Sequence, residues 1–177
     1  RRIVWSRLEG SDWSSPAEIS GLPPGAYAPS LAFDGSGLPV LAFLVPEVDI
    51  ESGLLRSGDG SASHLWAARQ VGERWIASAV GTVRAERPVL RIAAERAVLL
   101  FRWFEAPEST GNLGLGVADL GEEPLTWRLV NLSGDGAAHT HGKLAVDAAY
   151  GTVFIADAVR ADAGAPTHRA HAAARQH

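Results

Sequence analysis

The chain has 177 residues, a formal net charge of −4, and neither cysteine nor methionine. The acidic balance argues against a nucleic-acid partner, which needs a clustered basic face. Without cysteine there are no disulfides and no thiolate metal sites, and no apolar run reaches the roughly 18 residues that cross a bilayer as one helix.

An apolar share of 46 % suits a chain with a real core, and 19 glycines with 10 prolines suit many short strands joined by tight turns. The absent initiator methionine and leader set the expectation that Arg1 is not a native start, and that the chain is a processed product or part of something longer.

In chain order, residues 3–20 carry Ile3-Val4-Trp5, a turn at Gly10 and Asp12-Trp13, which predicts a hairpin. Pro29 to Phe43 alternates, turns at Asp34-Gly35, and continues as the apolar run Val40–Val45. A polar, glycine-rich stretch from Glu51 to Ser63 leads to a second hairpin, Leu65 to Ile76, turning near Gly72. The same two units recur. Pro88–Phe101 and Gly142–Ile155 repeat the first hairpin, with Leu31, Leu90 and Leu144 spaced 59 and 54 residues apart. Leu115–Val130 repeats the second, and Trp13, Trp75 and Trp127 close the copies at spacings of 62 and 52. Such periods predict repeated four-stranded units. The runs Val40–Val45, Ala97–Phe101 and Val153–Ala156 predict strands buried on both faces. A short helix over residues 92–104 is the local alternative.

The expected fold is therefore all-β: a partial β-propeller of about three four-stranded antiparallel blades. Residues 3–20 are read as an outer half-blade, 27–81 and 87–131 as blades, and 142–160 as an inner half-blade. Residues 161–177 are read as an Ala/His-rich tail, either a linker or a weak helix. Three blades are too few to close a ring, so another chain, a second copy or a further segment is expected to complete it. The three closing tryptophans are expected to be largely buried in equivalent places.

The hairpin Leu31-Ala-Phe33-Asp34-Gly35-Ser-Gly37-Leu-Pro39-Val40, followed by Arg69…Gly72-Glu-Arg74-Trp75, resembles the repeats of sialidase-type (BNR, or Asp-box) β-propellers. The resemblance implies a fold. It carries over no catalytic residue, because Leu90-Arg91-Ile92 lacks the proline of the family's arginine motif.

Candidate sites are few. Arg91 and Arg102 lie on the inner hairpin and are the expected anion or ligand contacts, Arg102 interrupting an apolar run. His139 and His141, with Asp135 and His64 as further ligands, have the spacing of a metal site, against the plainer reading of a solvated loop. The tryptophans suit either packing between blades or stacking on sugar rings. No catalytic signature and no cofactor motif stands out. The expected function is a non-catalytic binding or scaffold module of an extracytoplasmic protein. The alternative is a sialidase-like glycoside hydrolase or carbohydrate-binding propeller whose site is completed by missing blades.

Overall fold

A computed structural model describes residues 2–47, 63–105, 111–132, 138–147, 152–160 and 167–173; beyond residue 132, side-chain surroundings are described only for residues 143–145. The described residues contain fourteen strands and no helix. Residues 96–104 are strand, so the local helix alternative falls: β-branched and aromatic residues buried on two faces favour the extended chain there.

The hairpin at the start forms two small ladders, β1 (Val4–Trp5) with β4 (Ala17–Glu18) and β2 (Leu8–Glu9) with β3 (Asp12–Trp13). A seven-stranded antiparallel sheet follows. Its order is sequential: β5 (Tyr27–Phe33), β6 (Pro39–Pro46), β7 (Ser63–Val71), β8 (Arg74–Ala93), β9 (Arg96–Phe104), β10 (Asn112–Asp119) and β11 (Trp127–Asn131). A separate three-stranded sheet comprises β12 (Ala138–Asp147), β13 (Thr152–Arg160) and β14 (Thr167–Ala173). Strand β14 lies within the stretch read from sequence as a tail or weak helix. It pairs with β13 from Val153↔Ala173 to Val159↔Thr167.

The seven-stranded sheet is folded over at β8. The first half of this 20-residue strand pairs with β7, its second half with β9, and Arg84 pairs with both His64 and Phe104. Bulges at both ladders and the positive φ of Gly81 and Arg87 accompany the fold-over. The two layers meet in one core. Val40, Ala42, Leu44 and Leu65 from one side face Leu90, Leu99 and Phe101 from the other. The Leu90 amide donates to Ser30 Oγ at 2.9 Å, which lays the second half of β8 beside β5.

Period-two alternation supplies the remaining layers. Leu41 and Phe43 point away from that core and meet Ile3 and Ile19 of the first hairpin, with Ala26 and Ala68. On the far side Val98 and Leu100 meet Ala93, Leu113, Leu115 and Leu144 of the last sheet. Central strands β6 and β9 are thus buried on both faces over Val40–Leu44 and Ala97–Phe101, as the unbroken apolar runs predict. The result is a face-to-face stack of twisted sheets, the architecture of part of a β-propeller.

The three closing tryptophans are not equivalent. Trp75 and Trp127 are half-buried against the cores, but Trp13 is 69 % exposed, which corrects the expectation that all three are buried. The physical reason is local. The β2–β3 tip stands across an open groove from β5 and β6, so the Trp13 ring stays open to solvent. Accordingly, Trp75→Ala should lower stability by about 2 kcal/mol, the scale of losing a large apolar contact. In the monomeric chain, Trp13→Ala should stay within about 0.5 kcal/mol, as surface substitutions do; urea unfolding curves of both variants, taken at a dilution where the chain is monomeric, measure the difference.

Candidate functional site

Strand directions bring polar side chains to one end of the folded sheet. The chain enters β5 at Tyr27, leaves β6 at Pro46, enters β7 at Ser63, turns over near Arg84 in β8, and leaves β9 at Phe104. The tight turns of the sheet, at Asp34–Leu38, Gly72 and Ala94–Glu95, lie at the opposite end. An extended strand offers every second residue to one face. Neighbouring strands therefore stack their end residues into a compact group.

Two ion pairs dominate this end. Arg84 Nη2 donates to Glu47 at 3.1 Å (Oε1) and 3.4 Å (Oε2). Arg102 Nη1 donates to Glu86 Oε2 at 3.2 Å across the β8–β9 ladder, where the two residues are register partners. All four side chains are between 20 % and 31 % exposed, buried enough to hold a geometry and open enough to meet a ligand. The Arg102 guanidinium also lies 4.9 Å from the centre of the Phe104 ring. Tyr27 and Ser63 share a hydroxyl–hydroxyl hydrogen bond of 2.8 Å at this end, and Ser63 is the one buried polar side chain among the described residues. Gly111 closes the group. A Cβ there would stand 2.5 Å from Arg102 Nε and 2.9 Å from Phe104 Cε1, and φ is +78°, so glycine alone fits.

The sequence-predicted residues separate. Arg102 sits in this group. Arg91 is exposed near the other end of the same ladder, paired in register with Val98, and its Nη1 donates to the Leu90 carbonyl at 2.8 Å. Strand geometry puts five residues, or about 17 Å, between Arg91 and the Glu86 rung. The two arginines therefore do not share one site. His64 is half-buried on the Arg84 rung. His139 and His141 flank a bulge in β12, and Asp135 lies outside the described residues. No group of three or more metal-ligating side chains occurs among the described residues. Sequence reasoning missed Arg84, Glu86 and Glu47. The one available signal was the i, i+2 spacing of Arg84 and Glu86; their partners come from strand register, which sequence does not display.

A second candidate is an apolar groove of about 650 Å³ between the first hairpin and the face of β5 and β6. Trp5, Trp13, Leu31, Phe33 and Trp75 line it, with Arg7 and Gln70 as polar members. The Arg7 guanidinium lies 5.1 Å from the Trp5 ring centre.

No protein-family model and no curated protein matches the chain. Solved structures do. An endo-arabinase from Bacteroides thetaiotaomicron VPI-5482 superposes with a TM-score of 0.52 at 14 % identity, over 99 % of this chain and 66 % of that one. A thermostable family-43 glycoside hydrolase superposes with a TM-score of 0.50 at 12 % identity, over 89 % of this chain and 58 % of that one. The chain thus spans about two-thirds or less of these propeller structures. At such identities the likeness shows the fold: an all-β, propeller-type arrangement, with no specific tie to sialidases.

Proposed function

We propose that this chain is a β-propeller module that binds a neutral oligosaccharide at the polar end of its folded sheet, without turning it over. The observation that carries this reading is the pair of partly exposed Arg–carboxylate contacts, Arg84–Glu47 and Arg102–Glu86, two residues apart on β8. Sugar hydroxyls both donate and accept. A carboxylate braced by an arginine offers fixed acceptors, and the guanidinium beside it offers fixed donors. Each of these carboxylates is already committed to an arginine, which suits holding hydroxyls rather than moving a proton. The propeller glycoside hydrolases that share the fold favour carbohydrate as the ligand class. The blade division 27–81 and 87–131, an extracytoplasmic setting and completion of the ring by further polypeptide belong to the same proposal.

Calorimetric titration with arabino-oligosaccharides, and with xylo- and gluco-oligosaccharides beside them, tests the reading. Losing the Arg102 hydrogen bonds should weaken binding about 10- to 100-fold in Arg102→Ala, with Arg102→Lys intermediate because lysine lacks the planar fork. Binding that is indifferent to both substitutions would contradict the site.

A further inference from the structure

The groove beside the first hairpin repeats a surface that is covered elsewhere in the same chain. Leu31, Leu90 and Leu144 occupy matching places in the three copies of the inner hairpin. Leu90 is fully buried by the layer of β6 and β7, and Leu144 is buried by β9 and β10. Leu31 is 50 % exposed and Phe33 on the same face 59 %. The difference is the neighbour. Leu90 and Leu144 each have a complete sheet on that side. Leu31 has only the narrow β1–β4 hairpin, which covers Leu41 and Phe43 and stops there.

Five of the six exposed large apolar side chains among the described residues, Val4, Leu8, Trp13, Leu31 and Phe33, line this one groove. A contiguous apolar patch of that kind marks an interaction surface. It continues the Ile3–Ile19–Leu41–Phe43 core, sharing Ile3, Ile19 and Leu41 with it.

The matching interfaces identify the occupant's form: the inner strands of a blade, added beside the two-stranded β1–β4 ladder. The chain carries such a set at its other end. Strands β12, β13 and β14 form a three-stranded sheet whose β14 edge pairs with no other described strand. The first hairpin and this last sheet belong to separate sheets within one chain. Each has what the other lacks. We propose that the groove is the seat of the β12–β14 sheet of a second copy, and that two copies exchange these elements reciprocally. One contact then covers Leu31 and Phe33 and extends the β1–β4 hairpin. Its two-fold mate does the same on the other side, which closes the assembly. This deepens the completion proposed above and is independent of the sugar site.

Sedimentation equilibrium of the full chain provides the test, since the monomer mass is 18.7 kDa. At roughly 10 μM, a concentration at which interfaces of standard size associate, the chain should sediment at twice that mass. Leu31→Glu/Phe33→Glu places two charges in the proposed contact and should give a monomer with unchanged β-type circular dichroism. Leu8→Lys, at an exposed position on the opposite wall, serves if the double variant fails to fold; it should weaken association at least about tenfold. A monomeric wild type, or a dimer that survives both variants, overturns the proposal. So does a dimer that an arabino-oligosaccharide dissociates, because the groove would then be a sugar site. A dimer that persists while Arg102→Ala loses sugar binding supports both readings separately.

Discussion

Phe101→Ala should lower the unfolding free energy by about 3–5 kcal/mol, the range for truncating a large aromatic in a close-packed core. Phe101 is 1 % exposed and faces the layer of β6 and β7. Its ring packs at 6.1 Å from that of Trp103 and fills the space over Gly114. A Cβ at Gly114 would come within 2.6 Å of Phe101 Cε2 and 2.7 Å of Cζ. Gly114→Ala should therefore cost about 1–3 kcal/mol through overpacking. In a Phe101→Leu background the added methyl has room, so the two changes should be coupled by roughly 0.5–3 kcal/mol in a double-mutant cycle. Strict additivity in urea unfolding would contradict the contact.

The second large effect concerns Asp34, whose side chain is 5 % exposed. Burial alone would raise its pKa. The amides of Leu38 and Ser36, both at 2.9 Å from Oδ1, and the Arg69 guanidinium outweigh that and hold the carboxyl below its ordinary value. Arg69 reaches Asp34 Oδ2 at 3.2 Å and also donates to the Leu120 carbonyl. One carboxylate thus ties the β5–β6 turn to β7 and, through Arg69, to the loop after β10. Asp34→Ala leaves the arginine unpaired and two turn amides without acceptors, at a cost of about 3–5 kcal/mol. Asp34→Asn keeps the amide acceptor and should cost less. The folded pKa of Asp34 lies below the ordinary aspartate value of 3.8. The stabilisation is fully present above the unfolded pKa and is lost as pH falls through the lower, folded one. Wild type should therefore lose stability below about pH 4 more steeply than Asp34→Asn. Parallel acid-unfolding curves for the two would contradict this role.

Much of the layer structure was legible in the sequence because period and burial are local signals. Val40–Leu44 and Ala97–Phe101 are unbroken apolar runs, and only a strand covered on both sides has use for them. The Asp34-Gly35 turn is equally local: the Asp side chain caps its own backbone two and four residues on. The repeat position of Trp13 matches that of Trp75, whereas its burial depends on a neighbouring layer that lies across an open groove. Strand β14 was missed for a different reason. His168, Arg169 and the alanines of residues 170–173 show no alternation, and edge strands need little of it. The candidate site was the least legible part. Arg102 stood out because a charge breaks an apolar run, but Glu86, Arg84 and Glu47 meet it only through ladder register and the fold-over of β8.

The claim that sugar binds at the polar end, and not in the tryptophan-lined groove, is tested most directly by the indole resonances of the six tryptophans during titration with an arabino-oligosaccharide. Trp103 adjoins Arg102 on β9, whereas Trp5, Trp13 and Trp75 line the groove. At saturating sugar, on the order of 10 mM for a weak site, the Trp103 resonance should shift while those of Trp5 and Trp13 stay in place. Shifts confined to Trp5, Trp13 and Trp75, or no shift at all, would contradict the account.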